Sequence, residues 1–148
     1  MGKIKEVSNY LSARGWYLKK HEYNHDKTST YVFKYTNIKT FNSLKTFSIR
    51  VNFLNKTREI VKVWVDIDLN YNELYFIQRR KDLEYFIECL DVVKTALDKL
   101  ENELVKPMCE KFNLPLIDGA IYEDKYSYVD VQDLEEWLNN DTKDVSNK

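Results

Sequence analysis

The sequence predicts an α+β fold with an N-terminal helix, a four-stranded antiparallel meander, a long amphipathic helix on one sheet face and a short acidic C-terminal helix. Between residues 16 and 67, apolar residues alternate with polar ones, as in strands that bury one side. From Leu83 onward the apolar residues recur every three or four positions, as in an amphipathic helix. We expect residues 1–140 to form a single domain and residues 141–148 to form a frayed polar tail.

The chain is expected to begin with a helix, because Ile4, Val7 and Leu11 fall on one helical face and Gly15 suits a C-terminal cap. The segments WYLKKHEY and TSTYVFKYT then alternate, and the polar segment NHDK between them predicts a β-hairpin. The residues expected on one side of the second strand are Tyr31, Phe33 and Tyr35.

The clearest alternation lies in the third predicted strand, TFSIRVNFL, which is followed by a polar turn and a fourth strand, IVKVWVDIDL. The residues predicted to face inward are Phe47, Ile49, Val51 and Phe53 on the third strand, and Val61, Val63, Val65 and Ile67 on the fourth. If these two sets pack against each other, Arg50 lies across from Trp64 and Asn52 lies across from Lys62.

A long helix should follow, beginning near Asn72 and bent or broken around Pro107. Its apolar stripe, with a spacing of three and four residues, comprises Leu83, Phe86, Leu90, Val93, Leu97, Leu100 and Leu104. Such a helix is longer than the sheet, so the part from Leu97 to Leu104 is expected to need another cover, either a second helix or a second subunit. The segment DVQDLEEWLNN predicts the C-terminal helix, with Asp130 as its N-cap.

Charge is distributed unevenly along the chain. Residues 1–62 hold thirteen Lys and Arg against four Asp and Glu, whereas residues 63–148 hold ten against twenty. Such polarity suggests a macromolecular partner. The abundance of Lys and Asn and the scarcity of Ala suggest an AT-rich genome, that of a low-GC bacterium or a phage. No apolar run approaches the roughly 20 residues of a membrane span, and no signal peptide is visible, so we expect a cytoplasmic protein without membrane contact.

Asp66 and Asp68 are the best candidates for catalysis, because a strand projects both carboxylates from one face and paired carboxylates can hold metal ions. Such a site needs a third carboxylate, and Glu73, the nearest, begins the next predicted helix. None of the three glycines lies in a phosphate-binding loop, and no Cys or His spacing suits zinc. We therefore expect no enzyme activity, metal or cofactor. A metal-dependent phosphoryl-transfer enzyme stays a remote alternative.

The sheet face that points away from the helices is the predicted binding surface. Its candidate residues are Tyr17, Lys19, His21, Lys34, Arg50, Lys62 and Trp64. Cations beside aromatic rings suit single-stranded nucleic acid, but they also occur as ordinary cross-strand pairs. The acidic, aromatic residues 120–140 could instead cover this face.

We expect non-catalytic binding of a protein partner, as an inhibitor or adaptor of a larger complex. Single-stranded nucleic acid on the basic sheet face is the alternative, and it is weaker because the acidic second half of the chain repels phosphate. A homodimer through the long helix is also left open by the spacing of the apolar stripe.

Overall fold

The computed structural model describes residues 2–36, 46–68, 77–117 and 131–146, and all of its helices and strands lie within those ranges. The elements in chain order are α1 (Gly2–Ser12), β1 (Trp16–Tyr23), β2 (Thr28–Tyr35), β3 (Phe47–Leu54), β4 (Ile60–Ile67), α2 (Arg80–Leu100), a π-helical turn (Glu101–Val105), α3 (Lys106–Phe112) and α4 (Val131–Ser146). The four strands form one antiparallel sheet in the order β1-β2-β3-β4. The predicted α+β fold with an antiparallel meander is confirmed.

The hydrophobic core lies between one face of this sheet, which we call the core face, and the helices α1, α2 and α3. The four predicted inward residues of β3 are all almost completely buried, as are Val7 and Leu11 of α1. From the helical side, Val105 and Met108 are completely buried against them. Each such side chain contributes roughly 1.5–3 kcal/mol through burial of apolar surface, so this cluster fixes the position of the helices on the sheet.

A β-bulge in the pairing of β3 with β4 changes the predicted inward set of β4. Val63 and Val65 face Val51 and Ile49 as expected, but the register shifts so that Ile60 pairs with Phe53. Ile60 is buried, whereas Val61 is 41% exposed. The prediction that Val61 faces inward is therefore wrong, because the bulge adds one residue to β4 and reverses the side on which the following residue lies.

A second bulge, between Leu18 and Lys20 in β1, reverses the faces of the second half of that strand. Tyr17 still pairs with Lys34, on the face opposite the core, which we call the outer face. Beyond the bulge, Glu22 lies on the outer face and His21 pairs with Tyr31 on the core face. The predicted position of His21 on the outer face is wrong, since strict alternation fails where Lys19 is inserted.

The long helical segment differs from its prediction at both ends. Residues 77–79 are not helical, and α2 begins at Arg80, where the Asp82 carboxylate accepts a hydrogen bond from the Arg79 backbone N–H at 3.2 Å. The predicted start at Asn72 is therefore too early, although Asn72 itself lies outside the described residues. Helical structure also continues past Pro107 to Phe112, rather than breaking at the proline.

The π-helical turn explains how the helix passes Pro107. A proline removes one backbone hydrogen bond and its ring clashes with the preceding turn of an α-helix. The turn Glu101–Val105 is wider than an α-helical turn, and it places Pro107 in the first turn of α3, where a missing N–H costs least. The segment ends at Asn113, which has a left-handed φ of 55°.

At the C-terminus, α4 runs to Ser146, so helix extends beyond Asn140 into the stretch expected to be a tail. Its expected N-cap, Asp130, lies outside the described residues. Among the described residues, no helix is both long enough and apolar enough to cross a membrane.

Candidate functional site

The outer face of the sheet is organised around Arg50. Its Nε lies 2.7 Å from Asp66 Oδ2, and its Nη1 lies 3.3 Å from Glu22 Oε2. Asp68 is near the same guanidinium, at 3.9 Å from Nη2, and also forms an ion pair with Lys34. The predicted basic face is therefore balanced by three carboxylates around its central arginine.

Asp66 and Asp68, the candidate catalytic residues, are part of this network. Asp66 Oδ1 accepts a hydrogen bond from Trp64 Nε1 at 2.8 Å, while its second oxygen faces Arg50. Both carboxylates thus have cationic partners that would compete with a metal ion. Glu73 lies outside the described residues, and among those that are described no group of three His, Cys, Asp or Glu side chains could hold a metal.

Much of the outer face is also buried. Trp64 is only 8% exposed, and Val32 and Ser48 are buried beside it. Further along, the Asn52 side-chain amide donates to the hydroxyl oxygens of Thr28 and Thr30, both at 3.1 Å. A ring enclosed in this way cannot serve as a stacking platform for a nucleic-acid base, which needs an exposed π-face.

The other predicted binding residues are separated from one another. Tyr17 is exposed, and Lys62 lies 5.4 Å from the centre of the Trp64 ring in a cation–π contact. Lys19 is exposed in the bulge of β1. His21 stacks on the core side at 4.3 Å from the Tyr23 ring and 4.8 Å from the Tyr31 ring. The binding role of these residues stays a prediction, but they do not form one continuous basic and aromatic surface.

An exposed apolar surface lies on the first half of α2. The apolar stripe of this half, which we call the open stripe, comprises Leu83, Phe86, Ile87 and Leu90. Leu83 and Ile87 are 48% and 49% exposed, and Leu90 is 37% exposed. Further along the same helix, Leu100 and Leu104 are buried in the core.

The C-terminal part of the long apolar stripe is covered, whereas its N-terminal part is exposed. The part from Leu97 to Leu104 packs in the core cluster, to which the sheet and a second helix, α1, both contribute, as expected for a cover by a second helix. Helical structure continues through α3, which adds Met108 and Cys109 to the same core. The sheet therefore lies under the C-terminal part of the helical segment, and the N-terminal part projects with its apolar residues exposed.

The two margins of the open stripe differ in chemistry. Arg80, Ile87 and Lys94 are spaced by seven residues and so lie close to one line of the helix, but Asp91 and Asp98 lie beside the same line, so this margin carries charges of both signs. On the other margin, Tyr85 and Val92 are 69% and 68% exposed and widen the apolar surface. A hydrogen bond with the Cys89 side chain raises the pKa of the Tyr85 hydroxyl above its usual value.

Sequence reasoning identified the stripe but not its exposure. The available signal was the presence of Tyr85, Ile87 and Val92 outside the strict spacing of three and four residues. Apolar residues on both margins are unusual for a helix that covers a sheet with one face and is solvated on the other.

α4 carries a second exposed apolar stripe. Leu134, Trp137 and Leu138 share one face of this helix, and all three are more than half exposed. Asp133 and Glu135, which flank the stripe on its two sides, are exposed as well. α4 is thus an acidic amphipathic helix whose apolar side faces solvent.

A cleft of about 460 Å³ lies between the ends of α1 and α3. Its lining includes Tyr10, Phe112 and two cations: Arg14, whose guanidinium carbon lies 3.5 Å from the centre of the Tyr10 ring, and Lys111, whose Nζ lies 5.7 Å from it. Both cations sit where a helix ends, and there they offset the negative end of the helix dipole. This role accounts for the cluster without a ligand.

No family model, curated protein or solved structure matches this chain. Its function is therefore inferred from the chemistry of the two surfaces just described. The outer face of the sheet offers paired charges and buried rings, whereas the first half of α2 offers exposed apolar side chains with a charged margin.

Proposed function

We propose that this chain is a non-catalytic protein-binding module that holds an amphipathic helix of a partner protein against the open stripe of α2. The supporting observation is that Leu83, Ile87 and Leu90 are exposed on a stripe whose continuation is buried in the core. Within this proposal, the protein acts in the cytoplasm as an inhibitor or adaptor of a larger complex.

The energetic reason lies in the apolar area that α2 leaves in water. Burying a Leu or Ile side chain stabilises by roughly 1.5–3 kcal/mol. Leu83, Ile87 and Leu90 are only partly buried in the free chain, so part of this free energy is still to be gained on binding. A spacing of three and four residues matches the surface of another helix, because side chains from both helices interdigitate at that period. Helix-in-groove and helix-on-helix recognition use this kind of apolar anchor.

The charged margin can orient a partner helix. Arg80 and Lys94 can pair with carboxylates that flank the partner's apolar residues, and Asp91 can pair with a cation.

Single-stranded nucleic acid has less support than a protein partner. Its recognition would need exposed rings and unpaired cations on the outer face. Trp64 is buried there, and Arg50 is within ion-pair distance of Glu22, Asp66 and Asp68. The Asp66 and Asp68 carboxylates, which the enzyme alternative would use, are engaged in the same network.

Affinity capture from the host, with quantitative mass spectrometry, tests this proposal with matched variants. Ile87→Asp and, separately, Leu83→Asp place a charge in the open stripe, and we expect each to reduce the captured partner at least about tenfold. Val61→Asp is the control, since Val61 is similarly exposed but lies on β4. Equal capture by Ile87→Asp, Leu83→Asp and the unaltered chain would contradict the proposal.

A further inference from the structure

We infer that the two hairpin turns at one end of the sheet form a contact surface for single-stranded nucleic acid. This surface, which we call the turn pair, comprises the exposed residues 24–27 between β1 and β2, the exposed residues 55–59 between β3 and β4, and Tyr23, the last residue of β1. The inference goes beyond the proposed function, because the turn pair lies on the sheet and the open stripe lies on α2.

The two turns lie side by side. The backbone N–H of Asn55 donates a hydrogen bond to the carbonyl oxygen of Lys27 at 3.1 Å, and the Ser29 hydroxyl donates to the side-chain oxygen of Asn55. These bonds join residues that are more than twenty positions apart in the sequence. The side chains of both turns are therefore held together at one end of the sheet.

Both turns place a long cation in a backbone conformation that most residues avoid. Lys27 has a φ of 66° and Arg58 a φ of 65°, in the left-handed region where Gly or Asn is favoured. Elsewhere the chain follows that preference, since Gly15 and Asn113 occupy the positive-φ positions at the ends of α1 and α3. Strained positions are often kept for a functional side chain, so the two cations point to a role for their charge.

The cations of the turn pair are available to phosphate. Lys27, Lys56 and Arg58 are exposed, and within the described part of the chain none of the three forms an ion pair. Arg58 lies over the Phe53 ring, with its guanidinium carbon 5.1 Å from the ring centre, so its N–H donors have no charged acceptor. Lys and Arg side chains of this kind make the phosphate contacts of nucleic-acid-binding proteins.

The acidic residues of the same turns do not cancel these cations. Asp26 accepts hydrogen bonds from the backbone N–H of Thr28 at 3.3 Å and from its hydroxyl at 2.5 Å, so the carboxylate is directed back into its own turn. These bonds lower the pKa of Asp26, and the nearby charge of Lys62 lowers it further. Because Lys62 offsets Asp26, only Glu59 is left against the three exposed cations.

Tyr23 supplies an exposed ring beside the cations. It is 77% exposed, and its ring centre lies 4.3 Å from that of His21, which supports it from one side. A base can stack on such a ring while its phosphates meet Lys and Arg. The ring favours single-stranded nucleic acid over an acidic protein segment, which would need the cations alone. The outer face lacks this combination, since Trp64 is buried and Arg50 is paired with Asp66.

Fluorescence anisotropy of a fluorescein-labelled oligothymidylate tests the inference with the full-length protein. Lys27→Gly and Arg58→Gly each remove one cation, and both should keep or raise the melting temperature, because Gly suits a positive φ. We expect each to weaken binding at least about threefold and to reduce the slope of log affinity against log salt by about 0.7. Lys81→Ala, which removes an exposed cation from α2, is the matched control and should change the affinity less than about twofold.

Tyr23→Ser separates stacking from charge. It should weaken binding at least about threefold without changing the salt slope, because it removes a ring and no cation. The inference would be overturned by the absence of oligothymidylate binding at low salt, or by unchanged affinity in both Gly variants. Unchanged affinity in Tyr23→Ser, with polyglutamate bound as tightly as the oligonucleotide, would also overturn it and assign the turn pair to an acidic protein segment. None of these variants alters the open stripe, so each of these results leaves the proposed function standing.

Discussion

At the scale of single residues, Arg50 decides what the outer face of the sheet can do. Its side chain is only 20% exposed and is surrounded by Glu22, Asp66 and Asp68. The cross-strand position opposite Trp64 followed from the alternation of β3 and β4, and it is confirmed. The carboxylate of Glu22 was not foreseen on this face, because the bulge at Lys19 that brings it there has no signature in the sequence.

We predict that Arg50→Ala lowers the free energy of unfolding by about 1–3 kcal/mol, because it leaves partly buried carboxylates without their cation. Lys20→Ala is the control. Lys20 pairs with Glu22 at 3.3 Å, but its side chain is 68% exposed, and an exposed pair contributes at most about 1 kcal/mol. Urea denaturation measures both changes. Similar losses for the two variants would show that the Arg50 network has no special role.

The two cysteines should differ in reactivity. Burial raises the pKa of Cys109 to about 11, so at pH 8 very little of it is thiolate, whereas Cys89 is partly exposed on α2. We expect iodoacetamide to modify Cys89 in the folded protein and Cys109 only after unfolding, as measured by mass spectrometry of peptides. Equally rapid modification of Cys109 in the folded protein would contradict its burial against the sheet.

Acid stability should show the effect of Asp26 at the first hairpin turn. The Thr28 hydroxyl donates a hydrogen bond to its carboxylate and lowers the pKa of Asp26 below its ordinary value of 3.8. A lowered pKa means that the stabilisation is present above that value and is lost as the pH falls through the folded-state pKa. Asp26→Asn should therefore show a smaller decrease in melting temperature below pH 3.8 than the unaltered chain. An identical decrease would contradict this role.

At the scale of elements, the connection from α1 to β1 depends on Gly15. This residue has a left-handed φ of 91°, and a Cβ at its position would lie 2.9 Å from Cε2 of Tyr35. The sequence identified Gly15 as the point where the helix ends, although the close approach of Tyr35 could be seen only once β1 and β2 were paired.

Gly15→Ala should lower the free energy of unfolding by about 1–2 kcal/mol from the backbone conformation alone, with a further loss from the contact with Tyr35. Gly2→Ala is the control, because a Cβ there meets no atom within 4 Å. It should change the stability by less than about 0.5 kcal/mol. Thermal or urea denaturation of both variants tests this, and equal effects would contradict the role of Gly15.

The helices and strands were predictable where the spacing of apolar residues is regular, and unpredictable where one extra residue interrupts that spacing. The inward residues of β3 and the face of α1 follow directly from alternation and from helical spacing. Lys19 and Val61 mark the two bulges, and neither site carries a glycine or proline to signal it. The π-helical turn before Pro107 is similar, because the sequence indicates an obstacle for an α-helix there but not how the helix passes it.

At the scale of the whole molecule, the charge asymmetry of the sequence and the surfaces of the fold lead to different sites. The basic first half of the sequence suggested a binding face on the sheet, but strand pairing brings Asp66 and Asp68 of the acidic half onto that face. Strand pairing thus brings together basic and acidic side chains that lie far apart in the sequence, and their charges largely cancel on this face. The site on α2 could be found only once the sheet was seen to cover the end of the helical segment rather than its beginning.

The central claim is that the chain recognises its partner through the open stripe rather than through the sheet. It is tested most directly by measuring the affinity of the purified captured partner for two variants, Ile87→Asp on α2 and Lys62→Glu on the outer face. We predict that Ile87→Asp weakens binding at least about tenfold and that Lys62→Glu changes it less than about threefold. Loss of binding in Lys62→Glu with full affinity in Ile87→Asp would contradict the claim and assign recognition to the sheet.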